Sequence, residues 1–259
     1  MKKVLTIAGS DSSGGAGIQA DLKTITAHKM YGMSAITALT AQNTLGVDDI
    51  MEASPAFVGA QLDSIFKDIR PDAIKIGMVA SVEIMVEIAS KLKEYGAHPV
   101  VLDPVMVSTS GCQLISNDAK SSLMSTLMPL SDVITPNIPE AEVLSQMSIH
   151  NDQDMIQAAQ KIGERYSGAI LIKGGHAINE ANDLLYANHQ VTWIKGQRID
   201  TSNTHGTGCT LSSAIACELA NGEPLETAIR KAKAYLTGAL ADGLDLGQGS
   251  GPLNHMWDL

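Results

Sequence analysis

The feature that most constrains the fold is a repeated alternation of short apolar strands with longer amphipathic helices. The strand candidates are continuous apolar runs, which is typical of parallel strands that are buried on both faces. They lie at residues 4–8, 33–41, 73–76, 100–102, 133–135 and 169–173. Helix candidates with apolar residues at helical spacing lie at 16–28, 55–69, 82–95, 117–127, 152–166 and 225–240. This order predicts an α/β fold with a central, mainly parallel sheet.

The end of this alternation and the length of the chain predict how the fold is divided. Residues 183–188 and 191–194 alternate around Asn188-His189-Gln190, which indicates a small edge hairpin and not another crossover unit. No linker, repeat or low-complexity stretch interrupts the 259 residues. Because α/β chains of this length often form one core, we expect a single domain over residues 1–259.

Charge and composition exclude several classes of partner. The net charge is −10, and the 18 Lys and Arg residues form no basic run, so nucleic acid is not an expected partner. The apolar runs are too short to cross a bilayer, and residues 4–8 lack the longer apolar region of a signal peptide. We therefore expect no membrane partner and a cytoplasmic location. Cys112, Cys209 and Cys217 form no C-x-x-C pair, which argues against a disulfide framework or a zinc cluster.

Residues 203–211, Asn-Thr-His-Gly-Thr-Gly-Cys-Thr-Leu, mark the start of a helix rich in small residues. The helix is expected to begin between Gly206 and Cys209 and to end near Asn221-Gly222. Unpaired backbone N–H groups in its first turn, together with the helix dipole, suit a phosphate, and the glycines let an anion approach the backbone. The alternative is that the glycines only ease the start of the helix and bind no ligand.

Polar residues follow the first two strand candidates. Residues 9–17, Gly-Ser-Asp-Ser-Ser-Gly-Gly-Ala-Gly, form a glycine-rich loop, but they match neither the dinucleotide-binding pattern nor a P-loop. Asp21 in the next helix either faces this loop or is solvated at the surface. Gln42 ends the second strand, and its amide can donate and accept side by side, as an aminopyrimidine edge requires. A solvated loop amide is the alternative for Gln42.

Charged residues follow three later strands of the predicted sheet. Asp103 comes directly after strand 100–102, Glu140 follows strand 133–135, and Lys173 ends strand 169–173. Carboxylates at one sheet edge can hold Mg²⁺ through its waters, although both residues could instead cap the helices that follow them. Lys173 could neutralise a transferring phosphate, or it could be an ordinary exposed lysine.

Taken together, four separated motifs resemble those of the hydroxymethylpyrimidine/phosphomethylpyrimidine kinases of thiamin synthesis, which belong to the ribokinase-like superfamily. The motifs lie at residues 8–21, 41–44, 103–105 and 203–210, in the family's order, and the resemblance extends nearly from end to end. It implies a three-layer α/β/α fold in which ATP and substrate meet at the carboxyl ends of the strands. The implied reaction is the phosphorylation of 4-amino-5-hydroxymethyl-2-methylpyrimidine and then of its monophosphate, with ATP and Mg²⁺.

The resemblance also implies roles for individual residues. The substrate pocket would be formed by Gly9, Ala16, Asp21, Gln42, Met78 and Val105. The anion hole and catalytic centre would be formed by Gly206, Gly208, Cys209 and Lys173. Nucleotide contacts would come from Lys173, Thr207 and Lys233, and the metal region would contain Asp103 and Glu140. A homodimer is the expected assembly.

One departure from the superfamily pattern concerns the catalytic base. The usual Gly-x-Gly-Asp ending has Cys209 in place of the aspartate, as is typical of the thiamin branch. A helix N-terminus can lower a thiol pKa from about 8.5 to between roughly 3.5 and 7.5 when other positive groups help, so we expect a thiolate to be attainable. Rival interpretations are a pyridoxal or pyridoxine kinase, a non-catalytic nucleotide-binding module and, given the mismatched glycine pattern, more remotely a dehydrogenase.

Overall fold

The computed structural model describes residues 1–106, 116–174 and 181–259. Its strands form one sheet in the order β3-β2-β1-β4-β5-β6-β7-β8-β9. The strands are Lys3–Asp11 (β1), Tyr31–Gln42 (β2), Val47–Glu52 (β3), Ala73–Ile76 (β4), Val100–Leu102 (β5), Val133–Ile134 (β6), Ala169–Ile172 (β7), Asp183–Ala187 (β8) and Gln190–Ile194 (β9). Pairing is parallel from β2 across to β7 and antiparallel at both edges. The predicted mainly parallel sheet is confirmed.

Helices cover both faces of this sheet. They are Gly17–Ala27 (α1), Pro55–Asp68 (α2), Val82–Glu94 (α3), Asn117–Ser122 (α4), Ile138–Ser145 (α5), Asp152–Gly163 (α6), Thr207–Ala220 (α7) and Leu225–Ala241 (α8). Side chains of α2, α3, α5 and α6 pack in one core, and side chains of α1, α7 and α8 pack in the other. The fold therefore has three layers, α/β/α, as expected.

The first strand shows why its sequence is a continuous apolar run. Leu5 and Ile7 belong to the core beneath α2 and α3, whereas Val4 belongs to the core beneath α7. All three side chains are fully buried. Because successive side chains of a strand point to opposite faces, a strand with helices on both faces has no solvent-facing polar positions.

The structure differs from the sequence-based predictions in three elements, the first of which is α5, for which no helix candidate was given. The helix predicted at 117–127 ends as an α-helix at Ser122, continues as a π-helical turn over Leu123–Leu127 and then as a 3-10 turn over Met128–Leu130. Pro129 lacks the N–H that a continuing helix needs. Strand β3 was not predicted, because most of its residues are exposed and show no alternation. The predicted edge hairpin is confirmed as the antiparallel pair β8–β9.

Within the described ranges, no helix combines the length with the apolar composition that a membrane span requires. The parallel strands direct the loops that follow them to one edge of the sheet, which is where α/β proteins bind ligands.

Candidate active site

A cleft of about 760 Å³ runs along the carboxyl edge of the sheet. Every predicted site residue except Asp21 lines this cleft. These residues are Gly9, Ala16, Gln42, Met78, Asp103, Val105, Glu140, Lys173, Gly206, Thr207, Gly208, Cys209 and Lys233. The structure therefore brings together residues that are as much as 224 positions apart (233 − 9 = 224) in the sequence. Their individual roles stay predictions.

The N-terminus of α7 opens into this cleft without a side-chain cap. Its N-cap is Gly206, whose φ of 84° lies in the left-handed region. A Cβ on Gly206 would come within 1.9 Å of the Gly15 carbonyl oxygen, so this position requires glycine. A Cβ on Gly208 would lie 3.1 Å from Asp103 Oδ2 and 3.5 Å from Lys173 Nζ. The backbone N–H groups of the first turn are thus next to a lysine, as an anion hole requires.

Cys209 lies in the first turn of α7 and is half-buried. Burial raises the pKa of its thiol to about 11, and the positive charge of Lys75 and a hydrogen bond from the Gly17 N–H offset this rise only in part. The expectation that the helix N-terminus makes the thiolate accessible near neutral pH is therefore wrong for the ligand-free protein. The free-energy cost of removing the thiolate from water exceeds the stabilisation that the nearby positive groups give it.

Lys173 and Asp103 form an ion pair beside Gly208. Lys173 Nζ donates to Asp103 Oδ1 at 2.9 Å, and the Thr135 hydroxyl donates to the same oxygen at 3.1 Å. Burial opposes the charge on Lys173, but the carboxylates of Asp103 and Glu140 outweigh it and raise the pKa of the lysine. Lys173 is therefore a fixed cation and not the freely exposed lysine that was the alternative.

Glu140 is buried next to this pair and also caps α5. Its Oε2 accepts from the Asn137 N–H at 2.8 Å, and the Glu140 N–H donates to Asn137 Oδ1 at 2.8 Å, which completes a capping box. Burial raises the pKa of Glu140 to about 7, with Lys173 opposing and Asp103 reinforcing the rise. The helix-cap alternative thus holds for Glu140. Asp103 caps no helix through its described contacts, because its side-chain partners are Lys173 and Thr135.

Gln42 lines the cleft close to His205, the residue before the α7 N-cap Gly206. Its Oε1 accepts from the Thr40 hydroxyl at 3.0 Å, and its Nε2 lies 3.5 Å from His205 Nε2. His205 Nε2 lies 2.8 Å from Asp11 Oδ2, so this nitrogen carries a proton, because an ionised carboxylate only accepts. Gln42 Nε2 is itself a donor, so it does not hydrogen-bond to the protonated His205 Nε2, and the Thr40 hydroxyl is the group that restrains the Gln42 amide oxygen.

Asp11 organises the glycine-rich loop, a role that the sequence analysis missed. Its carboxylate accepts from the N–H groups of Ser13, Gly15 and Ala16 and from His205. Burial disfavours the charge, but the hydrogen bonds from His205, Ser13 and Ala16 hold the pKa of Asp11 well below its usual range. The sequence signal was present, because Asp11 is the acidic residue of the loop 9–17.

Asp21 differs from both sequence-based expectations. It neither lines the cleft nor contacts solvent, since it is fully buried and paired with Lys75. In this structure Asp21 therefore lies behind the cleft, whereas the resemblance placed it in the substrate pocket. Lys233 lines the cleft as predicted, and its Nζ donates to the Ala181 carbonyl at 2.6 Å and to the Asp183 carboxylate. Cys112, which the sequence analysis also named, lies outside the described residues.

Comparison with known proteins shows the family. The family model for phosphomethylpyrimidine kinase matches residues 11–254. The hydroxymethylpyrimidine/phosphomethylpyrimidine kinase of Haemophilus influenzae is 46% identical over 98% of this chain and 97% of its own length. The thiamine biosynthesis bifunctional protein of Geobacter sulfurreducens is 50% identical over 98% of this chain, which spans only 52% of that longer protein.

Solved structures share the fold over almost the whole chain. The phosphomethylpyrimidine kinase of Clostridium difficile 630 is 45% identical, with a TM-score of 0.83 over 93% of this chain and 100% of that chain. The pyridoxal kinase of Bacillus subtilis, solved as an ADP complex, is 40% identical, with a TM-score of 0.92 over 98% of this chain and 97% of that chain. The chain therefore belongs to the phosphomethylpyrimidine kinase family, which has the ribokinase-like fold and carries out ATP-dependent phosphoryl transfer.

Proposed function

We propose that this chain, as one domain over residues 1–259, transfers the γ-phosphoryl group of ATP to 4-amino-5-hydroxymethyl-2-methylpyrimidine and then to the resulting monophosphate. The observation that carries the proposal is the cleft itself, which has the Gln42 amide and an uncapped helix N-terminus beside Lys173. A hydrogen-bonding group for the ring and a cationic site for the phosphate are the two parts that this reaction needs.

Gln42 would bind the aminopyrimidine edge. The Thr40 hydroxyl donates to its Oε1 at 3.0 Å and restrains one side of the amide. The amide can accept from the exocyclic amine and donate to a ring nitrogen. Met78 and Val105 supply apolar surface for the flat ring in the same cleft.

Transfer would take place at the N-terminus of α7. The substrate hydroxyl oxygen forms a bond to the γ-phosphorus, the bond to the β–γ bridging oxygen breaks, and ADP leaves. First-turn N–H groups and Lys173 stabilise the charge on the γ-phosphoryl oxygens. Because a thiol with a pKa of about 11 is mostly protonated at neutral pH, Cys209 would accept the proton only through its small ionised fraction. Positioning and charge neutralisation would therefore supply most of the rate enhancement, as a loose transition state allows.

The donor set fits a magnesium ion that is bound mainly through ATP. No group of three or more His, Cys, Asp or Glu side chains suited to a metal occurs in the described part of the chain. Asp103 and Glu140 nevertheless place two carboxylates at the cleft, and Mg²⁺ commonly combines one or two carboxylates with water and substrate phosphates. When bound, Mg²⁺ would neutralise charge on the β- and γ-phosphates. Asp103 and Glu140 would hold it directly or through water.

A pyridoxal kinase activity is the second candidate, because the Bacillus subtilis pyridoxal kinase aligns with 98% of this chain at 40% identity and a TM-score of 0.92. Relatives named hydroxymethylpyrimidine/phosphomethylpyrimidine kinase, at 46% and 49% identity, favour the first candidate. Initial rates of ADP formation with the pyrimidine alcohol, its monophosphate, pyridoxal, pyridoxine and ribose would separate the candidates. If the chain is a hydroxymethylpyrimidine kinase, kcat/KM should be largest for the pyrimidine alcohol. A larger value for pyridoxal would reject it in favour of the second.

We also propose a cytoplasmic homodimer. A cluster of exposed apolar side chains on β2, β3 and the turn between them supports the dimer. Its members are Leu39, Leu45 and Met51, which are 43%, 64% and 63% exposed. Such a group on an edge strand favours association with a second copy. Light scattering on the eluting protein should give twice the chain mass, and Met51→Lys should give the monomer. Val86→Lys, at an exposed apolar residue of α3, is the matched control and should stay dimeric.

A further inference from the structure

A fully buried ion pair lies behind the cleft and takes no part in the reaction as described so far. Lys75 of β4 and Asp21 of α1 are both 0% exposed. Lys75 Nζ donates to both Asp21 oxygens at 2.9 Å. Burial disfavours the ammonium, but the Asp21 carboxylate outweighs burial and raises the pKa of Lys75 above its usual value. Lys75 is thus a permanent positive charge in the protein interior.

Asp21 connects this charge to the helix that carries Cys209. The Ser213 hydroxyl of α7 donates to Asp21 Oδ1 at 2.8 Å, and the Thr6 hydroxyl of β1 donates to Oδ2 at 2.6 Å. Ser213 lies four residues after Cys209, so the two side chains share one face of α7. The ion pair therefore lies one helical turn below Cys209.

The ammonium group also lies close to the cleft floor. A Cβ on Gly77 would be only 2.6 Å from Lys75 Nζ, and the next residue, Met78, lines the cleft. The charged groups that act on Cys209 come from four elements. They are Lys75 on β4, Asp21 on α1, Asp103 after β5 and Lys173 after β7. Among the charges, Lys75 has the largest influence on Cys209, and it favours the thiolate, whereas Asp21 and Asp103 disfavour it, so the ion pair acts through the excess of the Lys75 effect over the Asp21 effect.

Stability alone does not account for such a pair. Replacement of a buried ion pair by apolar side chains of similar volume is often neutral or stabilising, whereas loss of one partner is strongly destabilising. Ala73 on β4 and Val101 on β5, the residue paired with Lys75, belong to the apolar core on the same face of the sheet, so an apolar residue at 75 would be compatible with its surroundings once Asp21 is also replaced. A charge at this position therefore calls for a functional reason.

We propose that Lys75, held in its charged form by Asp21, is a positioning residue that supplies fixed positive charge to the N-terminus of α7, where negative charge lies on the transferring phosphoryl group and develops on Cys209 when its thiol ionises. This inference rests on the proposed phosphoryl transfer. It also assigns Asp21 a role behind the site in place of the direct substrate contact that the family resemblance implied.

The test measures the reactivity of Cys209 and the kinetics in parallel. Two variants remove the charge in different ways. Lys75→Met/Asp21→Leu replaces the pair by apolar residues, and Asp21→Asn keeps the shape but leaves a buried ammonium that should lose its proton. Alkylation by iodoacetamide at pH 8, in the absence of substrates, is followed by mass spectrometry of the peptide that contains Cys209. This readout does not depend on the identity of the substrate.

Both variants should alkylate at Cys209 about tenfold more slowly, which corresponds to a rise of one pKa unit. The kcat for the pyrimidine alcohol should fall at least about tenfold, and KM for ATP should change by less than about twofold. Ser213→Ala is the matched control, because it removes a hydrogen bond to Asp21 and leaves both charges. It should keep alkylation and kcat within about threefold of the wild type.

The proposal would be overturned if the charge-removing variants that fold had the same Cys209 alkylation rate and the same kcat as the wild type. An equal loss in Ser213→Ala would also overturn it, because the network would then act by aligning α7 and not through charge. If the wild-type protein does not phosphorylate the pyrimidine alcohol, the proposed function fails, and the alkylation rates still decide whether Lys75 activates Cys209.

Discussion

Substitution of Gly208 by alanine should separate activity from stability. A Cβ at this position would lie 3.1 Å from Asp103 Oδ2 and 3.5 Å from Lys173 Nζ, in the space where a γ-phosphoryl oxygen is proposed to bind. The backbone N–H remains, but a donor must lie within about 2.7 to 3.1 Å of the oxygen that it stabilises. A methyl group in that space would displace the phosphoryl group.

The two expected effects have opposite signs. Within a helix, alanine is favoured over glycine by roughly 0.5 to 1 kcal/mol, and this gain would offset a shift of a few tenths of an ångström by the Asp103 carboxylate. The free energy of unfolding should therefore stay within about 1 kcal/mol of the wild type. Loss of one anion-hole donor typically costs about 10² to 10³ in rate, so kcat/KM should fall by that factor, equivalent to about 3 to 4 kcal/mol.

Coupled measurement of ADP release gives kcat/KM, and urea unfolding followed by fluorescence of Trp193 and Trp257 gives the stability. Gly46→Ala is the inert control, because a Cβ there meets nothing within 4 Å. Gly206→Ala is the unstable control, because its φ is positive and its Cβ would be 1.9 Å from the Gly15 carbonyl oxygen. A folded Gly208→Ala protein with kcat/KM within threefold of wild type would refute the anion hole.

Three further predictions concern the base, the ring contact and a buried histidine. Cys209→Ala should lower kcat for the alcohol by about 10² and harm the second phosphorylation less, because a phosphate acceptor has no proton that must be removed; equal losses in separate assays of the two steps would contradict the base role. Gln42→Met should lower the ratio of kcat/KM for the pyrimidine to kcat/KM for pyridoxal by about tenfold or more, because polar groups of the pyrimidine that are buried without a partner cost roughly 1 to 3 kcal/mol. An unchanged ratio would show that Gln42 does not determine specificity. Burial, with a contribution from the charge of Lys23, lowers the pKa of His255 from 6.5 to about 4, so the unfolded chain takes up the proton first. The contribution of His255 to stability should be complete above pH 6.5 and be lost, by about 3 kcal/mol, as the pH falls to about 4. Because the raised pKa of Glu140 changes stability in the opposite sense over this range, the test is the difference between the wild type and His255→Gln in urea titrations at several pH values, and this difference should follow that course.

The strands and the cleft could be predicted from sequence because they depend on local patterns. Continuous apolar runs at 4–8 and 100–102 identify strands that are buried on both faces, and polar residues directly after them must lie at the carboxyl edge. Gln42, Asp103 and Lys173 were placed in this way. Strand β3 could not be placed, because an exposed edge strand has no apolar alternation and is formed by pairing with β2.

The misplaced residues depend on distant partners. Asp21 is separated from Lys75 by 54 positions and from Ser213 by 192, and neither partner is marked in the sequence as a neighbour. Lys75 itself lies in an apolar strand, which is unusual for lysine and was the available signal. The pKa of the Cys209 thiol was not predicted correctly from sequence. A position at a helix N-terminus indicates a contribution that lowers the pKa, but the burial that raises it can be known only from the folded protein.

The central claim is that one cleft phosphorylates the pyrimidine alcohol twice. Phosphorus NMR of a reaction that contains the purified chain, the alcohol, Mg²⁺ and excess ATP tests it most directly. The account predicts a monophosphate signal that rises and then declines as a diphosphate signal appears, with two ADP formed for each pyrimidine consumed. No phosphorylation of the alcohol, or a reaction that stops at the monophosphate after one ADP, would contradict it.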